Sequence, residues 1–132
     1  MNKQREIKFR AWVKESKSMM SNKKLLDYGY FLNPIGNVCY QLDESIIEEV
    51  DEYILMQYTS LKDKNGVEIY EGDIIKDWEG IDIYEIVWNK QWACFELNRL
   101  THKNDTGMDA MDEAPFHFEV IGNIYENKEL LK

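Results

Sequence analysis

The stretch from Leu55 to Asp77, LMQYTSLKDKNGVEIYEGDIIKD, constrains the fold of this chain more than any other. Two apolar-alternating segments are joined there by Lys62-Asp63-Lys64-Asn65-Gly66, and Glu71-Gly72-Asp73 opens a third. A period of two sends alternate side chains to opposite faces of a pleated strand, so Tyr53–Thr59, Val67–Tyr70 and Ile74–Trp78 are predicted strands. Asn-Gly tolerates positive φ at both central positions of a two-residue turn, which matches strand twist and predicts a tight hairpin. A second block, Glu119 to Leu131 (EVIGNIYENKELL), continues a final strand, Phe116–Tyr125. It then supplies Asn127 as the cap of a short C-terminal helix, with Glu129 in its first turn and Leu130 and Leu131 packing back.

Glu6 to Trp12 also alternates, with Ile7, Phe9 and Ala11 on one face and Lys8, Arg10 and Trp12 on the other. This predicts a half-buried strand with a mostly basic outer face. Lys14 to Asn22 is polar and predicts a turn or hairpin loop. Leu25 to Leu32 is short and aromatic, Asn33 to Asn37 is a turn by composition, and Val38 to Leu42 is a further strand. Asp43 to Glu52 stays open: Ser45 with Glu48 fits a capping box and Ile46, Val50 and Ile54 share a helical face, while shortness and acidity argue against a helix. Tyr84–Trp88 and Trp92–Leu97 are predicted to form a hairpin across Asn89-Lys90-Gln91. Asn98 to Ala114 lacks either period and is the expected mobile loop. Six or seven short strands with tight turns give a mainly β class, a small barrel or roll, because closure removes sticky edges.

The 132 residues have room for one domain, and 44% hydrophobic content with 13% aromatics is enough for a core. No run of 18 uncharged apolar residues exists, and MNKQREIKFR carries charge where a signal peptide would be apolar, so a cytoplasmic location is expected. Cys39 and Cys94 are then expected as reduced, small buried residues. The net charge of −9 is split: residues 1–24 carry +6 and the remainder −15. Such polarity bears on partners and self-association rather than on fold. The simpler and favoured reading is that a basic first strand lies beside acidic neighbours and neutralises them.

Chemistry is harder to find. The two histidines, His102 and His117, have no nucleophile in a recognisable local context, and His117 alternates with Phe116 and Phe118 as a solvent-facing strand residue. His102, Asp105, Asp109, Asp112 and Glu113 do not match a calcium loop, and no zinc motif occurs, so neither metal nor cofactor is expected. Gly72 is not followed by the Lys-Ser/Thr of a phosphate loop. Single-strand nucleic-acid binding needs a basic groove with aromatic platforms, for which Arg5, Lys8, Arg10 and Trp12 are the candidate surface.

IKFRAW (Ile7 to Trp12), LMQYTSLKDKNGVEIYEGDII (Leu55 to Ile75) and EVIGNIYEN (Glu119 to Asn127) together resemble the YopX family, small proteins of bacteriophages and prophages of Gram-positive bacteria. The resemblance spans nearly the whole chain and implies a mainly β fold like an SH3-like barrel or roll. It implies no reaction, so no catalytic residue carries over. Two positions depart from the family pattern. Ser60 stands where Gly is usual, which argues against a positive-φ turn there, and Lys128 stands where Pro is common. The remaining shared residues read as fold determinants: Asn65-Gly66 and Gly72-Asp73 as turns, Tyr58 with Tyr70 as a cross-hairpin pair, Gly122 as a close backbone approach.

The expected function is a non-enzymatic binding or assembly module, with a host or phage protein or a second copy as partner. Two alternatives are a nucleic-acid-associated protein using the basic first strand, and an acidic antagonist of a host nucleic-acid-binding protein.

Overall fold

The structure, a computed structural model, describes residues 6–32, 38–43, 46–49, 53–101, 108–110 and 117–131. In chain order it contains β1 (Phe9–Val13), β2 (Ser18–Met20), α1 (Asn22–Asp27), β3 (Tyr30–Leu32), β4 (Val38–Asp43), β5 (Ile46–Glu49), β6 (Tyr53–Lys62), β7 (Glu68–Tyr70), β8 (Asp73–Lys76), β9 (Ile83–Asn89), β10 (Cys94–Arg99), β11 (Met108–Ala110), β12 (Glu119–Asn123) and a 3-10 turn at Lys128–Leu131. The chain is mainly β, as its alternation predicts. It gathers into two compact units, Lys8–Gln57 and Met1–Ile7 with Tyr58–Lys132, and passes from one to the other within β6.

In the N-terminal unit β1 lies between β2 and the start of β6, antiparallel to both. Directly paired residues share a face, so Phe9, Ala11 and Leu55 lie on one side and Arg10, Trp12 and Met56 on the other. A central strand is covered on both sides: Ala11, Trp12 and Met56 are all buried. The expected exposed basic face is therefore not what β1 presents at Trp12. After a turn with Lys17 at φ 52, the polar stretch returns as β2, so the hairpin reading of 14–22 holds for its first part.

A helix, α1, follows β2 and runs into the stretch read as short and aromatic. The hydroxyl of Ser21 accepts from the Lys24 N–H at 3.2 Å, which caps α1, and Gly29 leaves the helix at φ 78. β3, β4 and β5 form a separate antiparallel meander. β5 decides the open reading of 43–52 for its described part: Ile46–Glu49 is a strand paired with β4, so Glu48 lies in a strand and not in a first helical turn. Ile46 and Ile47 are β-branched, which favours a strand over a helix at these positions. The turn expected at 33–37 lies outside the described residues.

The C-terminal unit contains a five-stranded antiparallel sheet in the order β11-β10-β9-β8-β12, and β7 pairs with the end of β6. Ile69, Ile75, Tyr84, Ile86 and Leu97 form its core, with Phe95, Phe118 and Val120 packed against them. Tyr84 and Phe118 meet edge-on, ring centroids 5.6 Å apart. β11 falls inside the stretch expected to be a loop; residues 102–107 and 111–116 lie outside the described residues, and His102 with them. His117 is exposed as expected, but just before the strand rather than in it. Among the described residues no ladder joins β11 to β12, so the SH3-like barrel is a finer description than the ladders carry.

The Lys62–Gly66 turn works differently from its expected form. Gly66 sits at φ 81, whereas Asn65 is not left-handed, so this is no two-residue turn with both centres at positive φ. Asp63 organises it instead. Its Oδ1 accepts from the N–H of Asn65 (2.8 Å) and Val67 (2.9 Å), its backbone carbonyl accepts from Gly66, and its Oδ2 accepts from Val120 (2.9 Å) on β12. One buried carboxylate thus shapes the turn and fastens it to the last strand.

At the second turn Gly72 takes φ 86 and Asp73 Oδ2 accepts from the Tyr70 N–H at 2.8 Å. Tyr58 and Tyr70 pair across β6 and β7 with rings 5.4 Å apart, as their spacing predicts. Ser60 does not behave as predicted: it holds φ 72 inside the register shift between Tyr58 and Lys62, and its hydroxyl donates to the Glu6 carbonyl at 3.1 Å. At the C-terminus Gly122 is a close approach, since a Cβ there would stand 2.6 Å from Asn127 Cγ. The Asn127 side chain accepts from the Asn123 N–H behind it, and its backbone carbonyl rather than its amide receives Leu130 N–H.

Candidate functional site

α1 is short, so its position depends on what it packs against: β1, β2 and β3. Leu25 is its buried residue. Tyr30 is fixed between Tyr40 (centroids 5.8 Å, edge-on) and Tyr53 (5.4 Å, tilted). Between these parts an apolar cavity of about 100 Å³ opens, lined by Phe9, Asn22, Leu25, Leu26, Tyr30, Val38 and Leu55. Leu26 lines it while remaining 66% exposed, and Lys23 and Lys24 stand exposed on the same helix. The lining offers one amide and one phenol, with no acid, base or thiol. Its chemistry is that of seating a small apolar group and orienting it through one or two hydrogen bonds. Sequence reasoning missed this site because Leu25 to Leu32 reads as a strand-like aromatic run. The available signal was Ser21, a capping residue, with Gly29 eight positions on.

Of the surface singled out from sequence, the structure describes Lys8, Arg10 and Trp12. Lys8 and Arg10 are half-buried, and Trp12, only 9% exposed, is not an open stacking platform. Arg5 lies outside the described residues.

In the C-terminal unit Glu85 is pushed above the ordinary carboxylate range, first by burial and second by the charge of Glu71. Glu96 is buried, with Oε1 accepting from Asn89 Nδ2 at 2.8 Å. Asn89 Oδ1 also accepts from Gln91 and Trp92 N–H, so this pair shapes the β9–β10 hairpin tip. Among the described residues no group of three or more His, Cys, Asp and Glu could hold a metal ion. Of the acidic loop set, Asp109 falls in β11 and the others lie outside the described residues. Among the described residues no helix is long and apolar enough to cross a membrane. Cys39 is buried and Cys94 half-buried, and neither forms a disulfide.

Two solved structures share this architecture. Protein EF1440 from Enterococcus faecalis is 25% identical with a TM-score of 0.64, over 98% of this chain and 100% of that one. Protein yopX from Bacillus subtilis is 22% identical with a TM-score of 0.60, over 95% of this chain and 98% of that one, a likeness of fold. No curated protein matches. The family described as "YopX protein" matches residues 8–132, which hold every element from β1 to the 3-10 turn, and this chain belongs to the YopX family.

Proposed function

We propose that this protein is a non-enzymatic binding or assembly module of phage or prophage origin, acting in the cytoplasm of a bacterial cell, with the α1 cavity as its working surface. The observation that carries this reading is the cavity itself. An apolar concavity of about 100 Å³ is left open beside an exposed Leu26, on a helix that also carries exposed Lys23 and Lys24, where a core would ordinarily be filled. A partner that inserts one aliphatic side chain there gains its apolar burial, and flanking acids on that partner meet Lys23 and Lys24.

The test is affinity capture from host lysate, with and without nuclease, by the wild-type protein and by Leu26→Glu. Leu26 is mostly in water, so the charge is tolerated by the fold while it blocks the mouth. Proteins captured by the wild type and lost from the variant support the reading. An identical set from both sinks it, and capture that vanishes only with nuclease points to nucleic acid instead.

A further inference from the structure

We infer that the occupant of the α1 cavity is Ile81 from a second copy of this chain, seated head to tail. The inference rests on the cavity being the working surface, and it follows from size, order and charge.

Size comes first. A cavity of roughly 150 Å³ holds benzene, six carbons, so one of about 100 Å³ holds roughly four. The side chain of isoleucine has four carbons, whereas the indole of Trp78 is too large to enter. Ile81 is 60% exposed on the turn between β8 and β9, and Trp78 beside it is 71% exposed. Two such apolar side chains on one short turn are unexplained by the core of their own unit.

The turn is held ready. Asp77 Oδ1 accepts from Ile81 N–H at 2.9 Å, Gly80 N–H donates to the Asp77 carbonyl at 3.0 Å, and Asp77 N–H donates to Asp82 O at 3.1 Å. Gly80 supplies the left-handed residue at φ 73, and Asp82 Oδ1 accepts from the Thr101 hydroxyl at 2.5 Å. A projecting side chain on an ordered turn loses little freedom when it docks.

Charge selects among the exposed aliphatic side chains. Ile7 has the same four carbons but lies in Arg5-Glu6-Ile7-Lys8-Phe9-Arg10, which has three bases to one acid and would bring like charge to Lys23 and Lys24. Ile81 lies in Asp77-Trp78-Glu79-Gly80-Ile81-Asp82, which has three acids and no base. Plug and cavity are different patches, so a pair in contact still offers one plug and one cavity. The result is a heterologous series that closes into a ring or continues as a chain.

The experiment is light scattering with size separation at about 0.1 M salt, on the wild type, on Ile81→Glu, on Leu26→Glu and on an equimolar mixture of the two variants. Both substituted positions face water, and circular dichroism matching the wild type confirms folding. The wild type is expected to exceed monomer mass with rising concentration, and each variant alone to stay monomeric. The mixture is expected to form a one-to-one dimer, because Leu26→Glu still offers Ile81 and Ile81→Glu still offers the cavity. A monomeric wild type, or a mixture that stays monomeric, overturns the inference. If the wild type is monomeric yet captures lysate proteins in a Leu26-dependent manner, self-seating falls and the binding reading stands.

Discussion

Ser60 carries a Cβ at φ 72, a conformation that glycine adopts freely and other L-residues enter at a cost of about 1–2 kcal/mol. The bulge in β6 and the hydroxyl bond to Glu6 hold it there. Ser60→Gly is therefore expected to match or exceed wild-type stability in urea melts, and Ser60→Val to lose about 1–2 kcal/mol, since a β-branched side chain is least at home in that region. Asp63 is the more consequential residue. Asp63→Ala strips acceptors from three backbone N–H groups, two in the turn and one on β12, and is expected to cost about 2–3 kcal/mol by the same melts. Glu85 adds a pH dependence whose sign follows from its raised pKa. The folded state binds that proton more tightly than the unfolded chain, so stability is highest below the ordinary carboxylate range and falls as pH rises through the raised folded value. Glu85→Gln is expected to match the wild type in thermal melts near about pH 4 and to exceed it near about pH 7. A variant no more stable at neutral pH would show that burial and Glu71 do not strain the charge.

At the scale of elements, α1 is the part whose formation decides whether the cavity exists. With only six residues it depends on its cap, so Ser21→Ala is expected to cost about 0.5–2 kcal/mol and to weaken Leu26-dependent capture alongside, checked by melts and by the lysate comparison. The strands needed no such support from chemistry: β1, β6, β7, β8, β9, β10 and β12 announce themselves by alternation and by the turns between them, and each is where the sequence puts it to within a few residues. Short elements were less legible. α1 spans too few turns for a helical period to emerge, β5 carries two adjacent isoleucines instead of an alternation, and β11 lies in a polar run. The cavity was not legible either, because its lining comes from β1, α1, β3, β4 and β6, and no local pattern joins Phe9 to Leu55. The burial of Trp12 was not legible for a related reason: strand alternation reveals which residues share a face, not how far that face is covered.

For the whole molecule, two electrostatic effects of different range act on the proposed head-to-tail contact. Each copy carries −9, so copies repel at long range. At the contact itself the acidic turn of 77–82 faces Lys23 and Lys24 across a few ångströms. Screening separates these effects. At about 0.01 M salt the Debye length is about 30 Å and the net repulsion reaches between approaching copies; at about 0.1 M it is about 10 Å and that repulsion is largely gone, while charges in contact still attract. At about 1 M it is about 3 Å, the local attraction fades as well, and the burial of Ile81 is what remains. Assembly is therefore expected to peak at intermediate salt, not to rise or fall throughout, in sedimentation runs from about 0.01 to 1 M. Glu79→Lys is expected to remove the peak without abolishing association at high salt, because it reverses a local charge and leaves the apolar anchor in place. Association that climbs steadily with salt in the wild type would mean that the lysines of α1 play no part and that the apolar contact acts alone.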